Sequence, residues 1–162
     1  MMQNQLIVGV MGSGMAGREG AEAAYRLGSL IASQGWILLN GGRNAGVMAS
    51  SARGARENGG ITVGILPDDH PRGASPFIQI PILTGMGNAR NCINVLSSNV
   101  VVACPGGAGT ISEIALALKS SRPVILMNFD VQDMFKRCLK TEMLFAVKTP
   151  EEVITKIKYL FQ

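Results

Sequence analysis

The sequence predicts an α/β fold of three layers, in which a parallel sheet of about seven strands is flanked by helices. Short apolar runs, rich in β-branched residues, alternate along the chain with segments whose apolar residues recur at helical spacing. The runs are apolar throughout, which is typical of strands buried on both faces of a parallel sheet. Several runs end in glycine-rich segments that lead into a helical pattern, as in strand–loop–helix units.

Individual elements follow from these patterns in chain order. Strands are predicted at residues 6–10, 36–39, 61–66, 79–83, 100–103, 124–127 and 144–147. Helices are predicted at residues 20–34, 46–58, 89–98, 110–120, 131–139 and 150–161. In the first helix Ala24, Leu27 and Ile31 share one face, and Gly35 supplies a stop. In such a sheet a ligand binds beyond the carboxyl ends of the strands, where the strand order reverses.

The segment 105–113, Pro-Gly-Gly-Ala-Gly-Thr-Ile-Ser-Glu, directly follows the fifth predicted strand. Its glycines, Gly106, Gly107 and Gly109, have no Cβ, so backbone N–H groups can approach the oxygens of a ligand closely. The helix that follows adds the positive end of its dipole. Together with Thr110, these glycines therefore predict an anion-binding loop.

Glu113 at the end of this segment has two interpretations. A carboxylate beside an anion site can orient a hydroxyl group, hold a cation or transfer a proton. Thr110 and Glu113 also have the spacing of a capping box, in which the threonine caps the helix and the glutamate bonds back to the N–H of the cap. The spacing alone leaves both interpretations open.

Two further glycine loops follow the first and second predicted strands. Gly12-Ser13-Gly14 begins a GxGxxG pattern, which indicates either phosphate binding or a tight turn. The second strand ends at Asn40, where a nicotinamide-binding domain would have a carboxylate for the ribose, so no dinucleotide cofactor is predicted. The residues Gly41, Gly42 and Arg43 instead resemble a second anion loop, although Arg43 is equally consistent with a solvated arginine.

The loop 85–91 leads into the predicted helix that carries Arg90 and Asn94, which share a face because they are four residues apart. This helix begins at the same sheet edge as the segment 105–113. We therefore expect Arg90 and Glu113 to face one cavity. The alternative is an ordinary ion pair between Arg90 and Glu113 at the surface.

Charge and cysteine content narrow the function further. The formal net charge is +4 and the pI is about 9.2, but basic residues are not interleaved with aromatic ones as in nucleic-acid modules, so a nucleic-acid partner is not expected. A modest positive field favours a small phosphorylated ligand. The three cysteines lack metal-ligand spacing, which predicts neither a metal site nor a disulfide framework and favours the cytoplasm. No apolar run is long enough to span a membrane.

The segment 105–113 resembles the PGGxGTxxE signature of the lysine-decarboxylase-like superfamily, which includes the Lonely Guy phosphoribohydrolases. From Leu6 to about Lys119 the chain resembles one branch more closely, the molybdenum cofactor carrier proteins of algae and cyanobacteria. The matching segments are residues 9–14, 35–39, 41–43, 46–48, 80–82, 84–85, 89–90, 93–94, 96–100 and 113–119.

This resemblance implies a single Rossmann-like domain over residues 1–162 that binds, protects and carries molybdenum cofactor (molybdopterin) without turnover. It also implies a homodimer or homotetramer, and partners among the enzymes that synthesise the cofactor or depend on molybdenum. No protein ligand to the metal is predicted. The residues expected to bind the cofactor are Gly12, Ser13, Gly14, Gly41, Gly42, Arg43, Asn88, Arg90, Gly106, Gly107, Gly109, Thr110 and Glu113.

Two alternatives remain at the level of the sequence. In the Lonely Guy enzymes, which hydrolyse nucleoside 5′-monophosphates, an arginine and the signature glutamate are catalytic, and Arg90 and Glu113 match those positions. Asn91 stands where the enzymes have lysine, and Gly87-Asn88 stands where they have Met-His. A third class, single-stranded DNA binding, is suggested by distantly related DNA-processing proteins that share a Rossmann-like core.

Overall fold

The computed structural model describes residues 5–135 and 141–161. Within them, seven strands form one sheet in which all neighbouring strands are parallel. The strands are β1 (Ile7–Met11), β2 (Ile37–Asn40), β3 (Thr62–Leu66), β4 (Ile80–Leu83), β5 (Val100–Ala103), β6 (Val124–Met127) and β7 (Leu144–Val147). Every predicted strand is confirmed, with ends that agree to within one residue.

Helices connect the successive strands except β3 and β4, which are joined by the segment 67–79 without a helix. They are α1 (Arg18–Ser33), α2 (Gly46–Glu57), α3 (Arg90–Leu96), α4 (Ala108–Lys119), α5 (Gln132–Phe135) and α6 (Pro150–Phe161), and a 3₁₀ turn at Gly87–Ala89 precedes α3. The fold class is therefore the predicted one. The second half of the helix predicted at residues 131–139, and Cys138 with it, lies outside the described residues.

The strand order is β4-β3-β2-β1-β5-β6-β7. The chain moves outward from β1 through β2 to β4, and then returns to the other side of β1 with β5. Val8 pairs with Val100 and Met11 with Ala103 across this junction. The order thus reverses between β1 and β5, and a crevice forms at the carboxyl ends of these two strands.

The sheet is covered on both faces. One core joins Val10 of β1 to Leu27 of α1 and Ile157 of α6, all fully buried. The other joins Met11 of β1 to Ile114 of α4, together with residues of α3. No helix in the described ranges is long and apolar enough to cross a bilayer.

Helices α1 and α2 cross at very short distance through two glycines. A Cβ on Gly28 would lie 2.0 Å from the carbonyl oxygen of Ser51, and one on Gly54 would lie 2.0 Å from that of Tyr25. Only glycine fits at such a crossing. The close packing holds the N-terminal ends of both helices, and therefore the loops after β1 and β2, in fixed positions at the crevice.

Candidate functional site

A cavity of about 230 Å³ lies at the carboxyl ends of β1, β2 and β5. We call it the first cavity. Its lining residues are Val10, Met11, Gly12, Ser13, Gly14, Gly41, Met48, Asn88, Arg90, Asn91, Gly107, Gly109, Thr110 and Glu113. Most of the residues proposed from the sequence are therefore gathered around one space, as the strand-end argument predicted.

Three of the proposed residues do not line this cavity, namely Gly42, Arg43 and Gly106. Four others line it that the sequence analysis did not propose as site residues: Val10 and Met11 at the end of β1, and Met48 and Asn91. Met48 and Asn91 each belong to the first turn of a helix that begins at the crevice. The start of a helix near the point where the strand order reverses is therefore the sequence signal that could have identified them.

Ser13 joins three segments at the centre of the site. Its N–H donates to the carbonyl oxygen of Pro105 at 3.0 Å, and its own carbonyl accepts from the N–H of Val47, the second residue of α2, at 2.9 Å. A Cβ on Gly12 would lie 2.7 Å from Val47 and 3.0 Å from Cys104. The loop 12–14 is thus fixed between the loop after β5 and the start of α2.

The glycines of segment 105–113 play different parts. A Cβ on Gly106 would lie 2.1 Å from the side-chain oxygen of Thr110, so packing requires glycine there. Helix α4 begins at Ala108 with Gly107 as its N-cap. For Gly107 and Gly109, no atom of the described residues lies within 4 Å of an added Cβ, and neither has a positive φ. The fold itself does not require glycine at these two positions.

The capping-box interpretation of Thr110 and Glu113 is wrong. Helix α4 starts two residues before Thr110, and Glu113 does not turn back toward the helix start. Its Oε1 accepts a hydrogen bond of 2.8 Å from Nδ2 of Asn94 on α3. The Glu113 carboxyl group therefore bonds to a residue on another helix and not to the backbone at the start of its own helix.

Glu113 is buried, with 7% of its surface exposed. Burial raises the pKa of this carboxyl from 4.5 to about 7, while the hydrogen bond from Asn94 and the charge of Arg90 act in the opposite direction. Near neutral pH the group is consequently divided between its two protonation states. A group of this kind can both accept and donate a hydrogen bond inside the cavity.

Arg90 lines the cavity and also supports its wall. Its Nη1 donates to the backbone carbonyls of Gly41 and Ile65, at the ends of β2 and β3. Burial lowers the pKa of Arg90, while the charge of Glu113 raises it. The Nε is buried and meets no acceptor among the described residues. Among the described residues no salt bridge joins Arg90 to Glu113, and Glu113 is buried, so the surface ion pair considered from the sequence is wrong.

The loop after β2 differs from the predicted anion loop. The buried Asn40 organises it, because Oδ1 accepts from the N–H of Gly42 at 2.8 Å and Nδ2 donates to the carbonyl of Met48 at 2.9 Å. Arg43 turns away from the cavity and pairs with Asp68, at 2.7 Å between Nη2 and Oδ2. Only Gly41 of this loop reaches the lining.

Comparison with known proteins agrees with this geometry. The model of the SLOG cluster4 family matches residues 5–154. The chain belongs to this family. The molybdenum cofactor binding protein of the phototrophic bacterium Rippkaea orientalis is 47% identical, with 99% of each chain covered and a TM-score of 0.94. The Moco carrier protein of Chlamydomonas reinhardtii is 42% identical, with 98% of each chain covered and a TM-score of 0.89.

The same superfamily contains enzymes that match more distantly. A cytokinin riboside 5′-monophosphate phosphoribohydrolase of Mycobacterium marinum is 32% identical over 95 residues, which cover 57% of this chain and 51% of the enzyme. The predicted resemblance to the molybdenum cofactor carrier proteins, within the lysine-decarboxylase-like superfamily, is confirmed. In the described part of the chain, no cluster of three His, Cys, Asp or Glu residues could hold a metal ion.

This SLOG cluster4 protein has a second cavity, of about 590 Å³, on the other side of the loop 12–14. Ser13 lines both cavities, and Gly106 lines the second one. The lining residues of the second cavity are Ser13, Met15, Ala16, Gly17, Arg18, Glu19, Gly20, Ala23, Val47, Cys104, Pro105, Gly106, Met127 and Asn128. Apart from Ser13 and Gly106, none of them was proposed from the sequence.

Proposed function

We propose that this protein binds, protects and carries molybdenum cofactor, without chemical turnover. Gly107 and Gly109 provide the observation that carries the proposal. Packing and backbone conformation leave room for a side chain at both positions, yet glycine stands there, and both line the first cavity. An anionic group that approaches the backbone closely would need that room, as phosphates do at helix N-termini.

The charges around the first cavity suit the phosphate of the cofactor. The first N–H groups of α4 have no partner within the helix, and the dipole places its positive end there. Arg90 adds a full positive charge, and Ser13 and Thr110 add hydroxyl groups. These groups bind through hydrogen bonds and charge, so the metal can keep its oxygen and sulfur ligands during transport.

The other candidate function is hydrolysis of nucleoside 5′-monophosphates. One observation favours it: Glu113, with a pKa near 7, lines the same cavity as Arg90, as an acid–base catalyst would. Against it, Nη1 of Arg90 is already bonded to the carbonyls of Gly41 and Ile65. Incubation with AMP and with a cytokinin nucleotide tests this function, and we expect no release of free base.

A retention assay tests the carrier function. Purified protein is incubated with freshly released molybdenum cofactor, freed of unbound ligand by gel filtration, and assayed for pterin as its fluorescent oxidised derivative. We expect saturable, stoichiometric retention by the wild type. We expect a loss of at least about ten-fold for the double variant Gly107→Ala, Gly109→Ala, because two methyl groups would enter the space for the anion.

Gly59→Ala is the control for this assay. Gly59 has a φ of +74° in the turn after α2, so alanine strains the backbone there, but Gly59 does not line the first cavity. We expect lower stability with unchanged retention. If the wild type retained no cofactor, or if the double variant retained it fully, the proposal would be wrong.

We further infer that the protein assembles as a homodimer or homotetramer. The edge strand β4 exposes Ile80, Ile82 and Leu83 by more than 40% each, and Leu96 on α3 is 51% exposed. Exposed apolar residues on a sheet edge favour association. Sedimentation velocity tests this assignment: the wild type should be larger than a monomer, and Ile82→Lys should shift it toward the monomer. A monomeric wild type would contradict it.

The cytoplasm is the proposed location, because Cys92 and Cys104 are free thiols. The proposed partners are enzymes that supply the cofactor or accept it. Affinity purification of the loaded protein from cell extract, compared with the double variant Gly107→Ala, Gly109→Ala, should enrich such enzymes with the loaded form alone. Equal recovery with both forms would argue against a cofactor-dependent partner.

A further inference from the structure

The size of the first cavity motivates a further inference. At about 230 Å³ it is smaller than the roughly 300–1,000 Å³ that is usual for small-molecule sites, whereas the second cavity, at about 590 Å³, is within that range. A ligand with a phosphate, a dithiolene and a pterin ring system is unlike a simple anion. It needs more space than the first cavity offers.

The two cavities border each other at a ridge that contains Ser13, the residue that lines both. The ridge consists of the loop 12–14 and of Gly106, and its only side chain is that of Ser13. The Oγ of Ser13 accepts from the N–H of Met15 at 2.9 Å, so this side chain folds back onto its own loop. A ligand can therefore cross the ridge over backbone and glycine.

The linings of the two cavities are chemically different. The first is bordered by helix N–H groups, Arg90 and Glu113. The walls of the second include Ala23, Val47 and Met127, which are apolar. Burial raises the pKa of the Cys104 thiol to about 12, so this wall residue is neutral as well.

Polar groups lie among the second cavity's lining residues, namely Arg18, Glu19 and Asn128. Apolar walls combined with a few polar groups suit a flat nitrogen heterocycle, whose faces are apolar and whose edge carries donors and acceptors. The first cavity suits an anion instead. A ligand with both parts would find a complementary surface for each on the two sides of Ser13.

We propose that the two cavities form one binding site across Ser13, with the phosphate end of the ligand in the first cavity and its pterin in the second. This inference rests on the proposed function and adds the orientation of the ligand. It makes α1, through Gly20 and Ala23, part of the binding site. It also gives the loop 12–14 a role as the surface over which the ligand lies.

Methionine methyl groups report on each cavity separately. Met48 lines the first cavity, Met15 and Met127 line the second, and the exposed Met134 lines neither. Methyl NMR of methyl-labelled protein would be recorded with inorganic phosphate, with a pterin that has no phosphate, and with released molybdenum cofactor. We expect phosphate to shift Met48, the pterin to shift Met15 and Met127, and the cofactor to shift all three, with Met134 unchanged.

A variant that fills the second cavity gives an independent test. Ala23→Phe should reduce cofactor retention by at least about ten-fold, while phosphate still shifts Met48. The control is Ala146→Phe, the same change at an exposed position of β7 that lines neither cavity. Retention by the control should equal that of the wild type. Ala16→Phe repeats the test from the loop if Ala23→Phe does not fold.

The outcomes separate the orientation from the function. If the cofactor shifted Met48 alone, or if both Ala23→Phe and Ala16→Phe bound it as the wild type does, the orientation would be wrong and the carrier function would stand. If a phosphate-free pterin shifted Met127 but the cofactor was not retained, the second cavity would be supported and the carrier function lost. No shift with any probe would overturn both.

Discussion

The loops after β2 and β5 look alike in the sequence and differ in the structure. Both place glycines directly beyond a buried strand. In the loop 41–43 the space beside the glycines is filled: a Cβ on Gly41 would lie 2.8 Å from Nη1 of Arg90, and one on Gly42 would lie 3.0 Å from Leu66. In the loop after β5, Gly107 and Gly109 face open space. Glycine serves internal packing in the loop 41–43, whereas in the loop after β5 Gly106 is packed but Gly107 and Gly109 leave an open surface.

This difference assigns a separate task to each loop. The loop 41–43 is a packed support. Asn40 accepts a hydrogen bond from the N–H of Gly42, and Arg90 donates one to the carbonyl of Gly41. In the loop after β5 and the start of α4, Gly107 and Gly109 border the first cavity. Substitutions in the support should therefore change stability, and substitutions in the open segment should change binding.

The largest effect on stability is expected for Arg90→Ala. It would leave the carbonyls of Gly41 and Ile65 without their donor, and each buried acceptor left unpaired costs about 1–3 kcal/mol. We expect the free energy of unfolding to fall by roughly 4 kcal/mol, measured by urea denaturation. Arg90→Lys should recover only part of it, because one ammonium group replaces a planar fork. An unchanged midpoint would mean that Arg90 does not support the loop.

Glu113→Gln should have a slightly smaller and pH-dependent effect. The folded protein binds a proton at Glu113 with a pKa of about 7, against 4.5 for the ordinary carboxyl. The resulting stability is fully present below pH 4.5 and is lost as the pH rises through 7, for a total of about 3 kcal/mol. Glutamine resembles the protonated group, so the variant should be the more stable protein at pH 8 and about equal at pH 4. Parallel stability curves from pH 4 to pH 8 would contradict the assignment.

Gly42→Ala and Gly109→Ala should change the free energy of unfolding in opposite directions. Gly42 has a φ of +77° and is packed against Leu66, so alanine should cost about 1–2 kcal/mol. Gly109 lies inside α4 beside open space, where alanine should stabilise the helix by about 0.5–1 kcal/mol. Thermal unfolding of the two variants measures both. A loss of stability for Gly109→Ala would remove the distinction between the two loops.

The smallest effect is expected for Arg43→Ala. Arg43 and Asp68 form a partly exposed ion pair, with 37% and 29% of their side chains exposed, and such pairs contribute less than about 1 kcal/mol. Cofactor retention should be the same as in the wild type, because Arg43 does not line the first cavity. A clear loss of retention would restore Arg43 to the binding residues.

The sequence predicted the fold well because its signals are local. Uninterrupted apolar runs locate the strands, and the position of a loop after a strand places it at the crevice. The direction in which individual side chains point was harder to predict from the sequence. Arg43 turns to Asp68, and Glu113 takes a donor from Asn94, because of partners that are distant in sequence. The second cavity was not predicted, since Ala23 and Met127 follow ordinary core patterns and only the tertiary packing creates the space between them.

The central strand pair determines when, during folding, the first cavity is complete. Val8 pairs with Val100, so β1 and β5 join residues that are 92 positions apart in the sequence, and the loops at their ends meet only after this pairing. Contacts between such distant segments form late and slowly. β1 and its loop are synthesised long before β5 and α4, so during synthesis they wait for these partners. The first cavity, which lies between these loops, is therefore complete only in a chain that has finished folding.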